Sequence, residues 1–202
     1  MVRSKYFATV KVALATALLS LSWSSHAAPL GLTLADAPDI ASGFITVSYN
    51  AMTDTLSATG SAIQLYDGVA TFIDAGGLFI LEATVDGDGN MTGGTISIDA
   101  TIASLGHVSG TLLTGVLTDF GFMEGGGDPL EFLFDVTGGD LASLYGPRGG
   151  IILSDAGFGG SFANDFANTD AGVSDTAAIP VPPALWLMFS ALAGIAGVRR
   201  RK

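Results

Sequence analysis

The feature that most limits how this chain can fold is strict period-two alternation of apolar and polar residues, repeated between glycine-rich turns. Ile96, Ile98, Ala100 and Ile102 alternate with Thr95, Ser97, Asp99 and Thr101. Successive side chains of a strand point to opposite faces, so this spacing makes one apolar face and one wet face. The same pattern sets Phe79, Leu81, Ala83 and Val85 against Ile80, Glu82, Thr84 and Asp86, and Leu130, Phe132, Phe134 and Val136 against Glu131, Asp135 and Thr137. Ile45, Val47 and Tyr49 do the same with Thr46 and Ser48. Less regular strands are expected over residues 55–65, 69–74, 109–118 and 150–154, and helix-period stripes are scarce.

The connections 50–54, 86–90 and 124–129 are rich in Gly, Asn and Asp, which tolerate positive φ and close tight hairpins. One short helix is expected over 141–145, with Asp140 as N-cap and Gly146 and Pro147 ending it. The expected fold class is all-β, an antiparallel β-sandwich or up-and-down barrel of about eight or nine strands. A signal helix at the N-terminus and a transmembrane helix at the C-terminus are expected to flank it.

Charge is segregated along the chain. Of its eight Lys and Arg, only Arg148 lies between residues 28 and 178, whereas all 19 acids do, so that stretch carries 1 − 19 = −18. A surface this acidic repels phosphate backbones, which argues against nucleic-acid binding. The chain has no Cys, which excludes disulfides, thiolate metal sites and a Cys nucleophile.

The bases gather at the two ends. Arg3, Lys5 and Lys11 precede a short apolar run over 12–23, about 18 Å long as a helix against a hydrocarbon core of about 30 Å. Small residues follow, placing a secretory cleavage site between Ala27 and Ala28. Export through the Sec machinery and processing by signal peptidase are the expectation.

At the other end Pro180, Val181, Pro182 and Pro183 form a stretch incompatible with helix, because proline lacks an N–H and disfavours α geometry in the residue before it. The uncharged run 184–198 follows, then Arg199, Arg200, Arg201 and Lys202. Fifteen residues reach about 22 Å as a helix, and the terminal bases are expected to stay on the cytoplasmic side.

This order resembles the PEP-CTERM sorting signal of Gram-negative bacteria, in its Val-Pro-x-Pro-Ala variant. The residues that carry the resemblance are Pro180, Val181, Pro182, Pro183, Ala184, Leu185 and Trp186, the apolar run, and the basic cluster Arg199 to Lys202. No Glu stands between the prolines, which departs from the founding form. The resemblance implies export, recognition by an exosortase-type membrane protease or transpeptidase, removal of the tail, and delivery to the cell surface or an exopolysaccharide matrix. The other reading of the tail is a plain membrane anchor that stays attached. The chain then divides into a signal peptide (1–27), a linker (28–41), an acidic β domain (42–163), a flexible spacer (164–179) and the sorting signal (180–202) with its transmembrane helix at 184–198.

Groups for chemistry are few. His107 is the one histidine outside the signal segment, and Gly106-His107-Val108-Ser109-Gly110 does not make a nucleophile elbow. With no Lys in the middle, Schiff-base chemistry is absent. Carboxylate pairs of the glycosidase kind can be drawn in many ways from 19 acids, so none is singled out. Asp86, Asp88 and Asn90 place oxygen ligands at alternate positions and admit a Ca²⁺ ion, but Met91 and Ser97 stand where an EF-hand needs Gly and Glu, and a plain hairpin turn explains the same residues.

Trp23 and Trp186 both lie in segments expected to be removed, and the twelve Phe fall mostly on core-facing positions or beside Gly-rich bends. The expectation is therefore a non-enzymatic, structural or adhesive surface protein without an obligatory cofactor. A carbohydrate- or calcium-binding module is the alternative, and a glycan-active enzyme a further one.

Overall fold

The computed structural model describes residues 28–180 apart from Ala75 and Asp128. Its strands are β1 (Asp39–Asn50), β2 (Thr55–Tyr66), β3 (Ala70–Phe72), β4 (Leu78–Val85), β5 (Met91–Asp99), β6 (Leu113–Gly121), β7 (Leu130–Gly138), β8 (Arg148–Ser154), β9 (Phe166–Ala167) and β10 (Gly172–Ala178). A 3₁₀ turn (Ala103–Leu105) and one helical turn, α1 (Ala142–Tyr145), complete the described elements.

Eight strands, β1, β2, β4, β5, β6, β7, β8 and β10, close into an antiparallel barrel in chain order, and β10 pairs with β1 to shut it. Of the two expected architectures, the up-and-down barrel is the one formed. The short β3 continues the edge of β2 past the start of β4, and β9 lies on β1 beyond β10. Closure satisfies both edges of the long strands, which an open sheet of this length leaves exposed.

Three expectations change here. Residues 164–179, read as a spacer, contain β9 and β10, and β10 is the strand that closes the barrel. Its inward positions carry Ser174 and Thr176 and its outward ones Val173 and Asp175, an inversion of the usual pattern that hides a strand. Likewise β1 begins at Asp39, inside the stretch read as a linker. In α1 the N-cap is Leu141, without a side-chain cap, and Asp140 instead accepts the Ser109 backbone N–H at 3.1 Å. The expected signal and transmembrane helices lie outside the described residues.

Large side chains from β4, β5 and β7 fill the barrel, with Phe79, Leu81, Ile96, Ile98, Phe132 and Phe134 all buried. Phe134 fits because glycines flank it on both neighbouring strands. A Cβ on Gly115 of β6 would stand 2.3 Å from its ring, and one on Gly149 of β8 only 2.2 Å. One end of the barrel is plugged by rings: Tyr49, Phe120, Phe122, Phe158 and Phe162 pack in a chain, with Tyr49 to Phe162 at 4.9 Å and Phe158 to Phe162 at 4.8 Å between centroids. We call this the far end. At the near end β1 begins and β10 finishes, so the chain enters and leaves the barrel together.

Residues 28–35 are strapped along the outside. Glu131 faces outward on β7, as its alternation requires, yet it is only 7% exposed because the strap covers it. Its carboxylate accepts the backbone N–H of Gly31 at 2.8 Å and of Leu32 at 3.2 Å. Ala35 N–H donates to the Ala178 carbonyl at 2.9 Å, tying the strap to β10. Leu30 sits where Gly121 leaves room, since a Cβ there would meet the Leu30 nitrogen at 2.5 Å. Hydrogen bonds to a charged group contribute about 1.5–3 kcal/mol, so Glu131→Ala is expected to destabilise the fold by that order. Amide exchange should accelerate at Gly31 and Leu32 before it does at Phe132, and equal acceleration at all three would contradict the strap's dependence on Glu131.

Candidate functional site

The sequence-named residues fall in three places. Ala27 and the sorting-signal residues Val181, Pro182, Pro183, Ala184, Trp186, Arg199, Arg200, Arg201 and Lys202 lie outside the described residues. Ala28 rests against Gly121 towards the far end, its carbonyl oxygen 2.6 Å from where a Cβ would stand. Pro180 leaves from the near end, just after Ile179 donates its N–H to the Arg148 carbonyl at 3.3 Å.

Asp86, Asp88 and Asn90 form the β4–β5 turn at the far end. Asp86 Oδ1 accepts the backbone N–H of Asp88 at 3.0 Å and of Asn90 at 2.8 Å, while Oδ2 accepts the Asn90 amide at 3.0 Å. These donors, the Asn90 side chain first, hold the Asp86 carboxyl below its ordinary value. The carboxylate is thus engaged in shaping the turn, the hairpin role that Asp and Asn play through Asx-type bonding. Among the described residues no group of three or more His, Asp or Glu side chains gathers as a metal site. Asp88 instead borders a pocket of about 310 Å³ with Glu124 and Ser161, floored by Phe122 and Phe162 of the ring cluster.

His107 pairs through its backbone with Ile102. Asp140 and Ser109 are its neighbours, but the imidazole is not interposed between them. Asp140 takes the Ser109 N–H, and the Ser109 hydroxyl donates to the Thr111 carbonyl at 3.1 Å. A nucleophilic triad needs the base between the other two members, and this arrangement supplies a loop brace.

A second pocket, of about 470 Å³, opens on the outer face at the near end and was not visible in the sequence. It is lined by Leu34 and Ala35 of the strap, Asp36, Asp39, Tyr66 and Asp175. The barrel register builds it, placing Asp39 beside Tyr66 on β2 and Ala41 beside Asp175 on β10. Burial, and next the Asp175 charge, push the Asp39 carboxyl up to about 6, against the pull of the Ile40 and Thr176 backbone N–H groups. Beneath it, Tyr145 donates its hydroxyl to the Thr176 carbonyl at 2.5 Å, and burial, aided by Asp39, holds that phenol well above its ordinary value.

Sequence reasoning also missed two exposed rings. Phe44 and Phe72 are 75% and 73% exposed, although phenylalanine at strand positions is core by default. Phe44 could have been found, because Phe44 and Ile45 are adjacent and a strand cannot turn both inward; Ile45 is the buried one. Comparison with family models, curated proteins and solved structures finds no match for this chain.

The Asp39 carboxyl sets a pH dependence with an inverted sign. Its folded value of about 6 exceeds the ordinary carboxyl value of 3.8, so protonation favours the native state. The contribution is fully present below about pH 4 and is lost as pH rises through about 6. Asp39→Asn is therefore expected to melt above the wild type at about pH 7.5, with the gap closing towards about pH 4. A gap that does not change with pH would show that Asp39 is ionised without penalty.

Proposed function

We propose that this chain is an exported protein of the cell surface or extracellular matrix, sorted by its C-terminal PEP-CTERM-type signal and acting there in a structural or adhesive, non-catalytic role. The observation that carries this reading is the tail itself: Pro180, Val181, Pro182 and Pro183, the uncharged run 184–198, and Arg199 to Lys202 in that order. An N-terminal basic front and a short apolar run ahead of Ala28 supply the matching export signal.

Two features of the fold support it. The tail departs from the near end, where β10 stops, so a membrane segment beginning at Ala184 is only a few residues from the barrel. A closed barrel with large aliphatic and aromatic side chains inside is also a self-sufficient body that an exported chain can carry without disulfides. The partners this reading calls for are the Sec machinery, signal peptidase, an exosortase-type enzyme and a matrix exopolysaccharide.

The mass of the mature protein, purified from cells that make an exosortase-type enzyme, tests the reading. Cleavage after Ala27 and loss of the tail remove both Trp23 and Trp186, so the product is expected to show tyrosine but no tryptophan fluorescence. Replacing Arg199, Arg200, Arg201 and Lys202 by Ser is expected to leave Trp186 in the membrane fraction. A full-length chain in the cytosol, with both tryptophans present, would overturn the proposal.

A further inference from the structure

The outer face of β10, β1, β2 and β3 combines features that packing of the barrel does not require. Phe44 stands on a bulge where the β1 register shifts against both β2 and β10. Its φ is +53°, the left-handed region, which is costly for a bulky residue. The other described non-glycine residues with positive φ are Asp54 and Asp155, a residue type that tolerates this region. A phenylalanine that is both strained and exposed gives little to the fold, and retained strain of this kind points to a role outside it.

Phe44 has company on that face. Register aligns Asp175, Ala41, Gln64 and Phe72 across β10, β1, β2 and β3 in one row, and Asp39, Tyr66 and Ala70 in the next. Ile63 leans over Gly43, its Cδ1 3.0 Å from where a Cβ would stand, beside Phe44. Val173, on β10 two residues before Asp175, is also exposed. Around these apolar groups are the exposed hydroxyls of Thr46, Thr59 and Ser61, and at one margin lies the carboxylate-lined pocket of Asp36, Asp39 and Asp175.

We propose that this face binds a glycan whose sugars carry free primary amines, the sugar rings stacking on Phe44 and Phe72 and the ammonium groups meeting Asp39 and Asp175. This deepens the surface or matrix reading by naming the partner's chemistry. Charge complementarity selects the occupant. A second copy of a chain carrying −18 between residues 28 and 178 is repelled, as is any anionic polymer or lipid. Rings on a convex sheet offer flat apolar faces to sugar C–H groups, and neighbouring hydroxyl and amide side chains suit a polyhydroxylated ligand. An extended peptide recognised by strand addition would find β1, β2 and β10 already paired on both sides, with only the three-residue β3 open.

Calorimetric titration of the full-length chain in detergent tests this, with a hexamer of β-1,4-linked glucosamine, the fully N-acetylated hexamer and hexalysine as probes. The glucosamine hexamer is expected to bind saturably, and the acetylated hexamer about tenfold more weakly. Phe44→Gly and Phe72→Ala should each weaken the glucosamine hexamer about tenfold, and Asp39→Asn with Asp175→Asn should do so comparably. Phe44→Gly should melt at or above the wild-type temperature, because glycine accepts the left-handed backbone.

No saturable binding of the glucosamine hexamer overturns the proposal. So does binding indifferent to both Phe substitutions, which marks diffuse charge attraction, or equal affinity for the acetylated hexamer, which means the amines are not read. Hexalysine binding as tightly, with the same sensitivity to Phe44→Gly, would assign the face to a basic peptide instead. A sharp fall in the Phe44→Gly melting temperature would return the ring to a structural role. None of these results bears on the sorting reading, which rests on the mass of the mature chain.

Discussion

Closure of β10 on β1 is the contact on which the rest of the molecule depends. Without it β1 and β10 would each present a free edge, and the strap, which runs into β1 but is tied to β10 through Ala35 and Ala178, would no longer bridge the two. Yet this seam is the most polar part of the interior. The buried side-chain oxygens without a protein partner among the described residues are the Ser42, Ser174 and Thr176 hydroxyls, which face inward, and Oδ1 of Asp39 on the outer face, and all four residues lie on β1 or β10. Leaving such a group unsatisfied costs about 1–3 kcal/mol. The seam is therefore held mainly by its backbone ladder and by Tyr145, which reaches from α1 to the Thr176 carbonyl.

That polarity explains what could and could not be read in advance. β4, β5 and β7 were legible because their inward residues are large and apolar and their turns carry Gly, Asn or Asp. β10 was not, since Ser174 and Thr176 point inward and its neighbourhood of Asp and small residues looks like a solvated linker. The sequence signal for a strand is a signal for its hydrophobic face, and it fades where a barrel uses hydroxyls on its inner wall. Glu131 was placed on the correct side of β7, but its burial depends on a strap from 100 residues away in the chain, measured from Gly31, and local alternation carries no trace of that.

The candidate sites divide in the same way. The turn of Asp86, Asp88 and Asn90 is local, so its residues could be named from spacing alone, and the structure shows how Asp86 uses its oxygens within the turn. The near-end pocket is assembled from Asp36, Asp39, Tyr66 and Asp175, which span nearly the whole barrel sequence. Only the meeting of first and last strands brings them together. Its raised carboxyl follows from that meeting, because burial and a like charge arrive with the closing strand.

The geometry of the ends also bears on how sorting and binding would coexist. If the tail is held by a membrane or by a processing enzyme, the near end faces that surface, and the carboxylates of Asp36, Asp39 and Asp175 repel anionic headgroups there. Phe44, on the β1 bulge, and Phe72, in the row of Asp175, Ala41 and Gln64, lie on the side of the barrel rather than over the end. A polymer stacked on the two rings need not pass beneath the barrel, and only its amines, where they meet Asp39 and Asp175, reach the margin of the near end. If the tail is then removed, the near-end pocket is relieved of the surface it faced while the two rings are unchanged. On the proposal above the rings would hold a ligand before and after release, and Asp39 and Asp175 would add to that hold once the near end is clear, which suits an adhesive role.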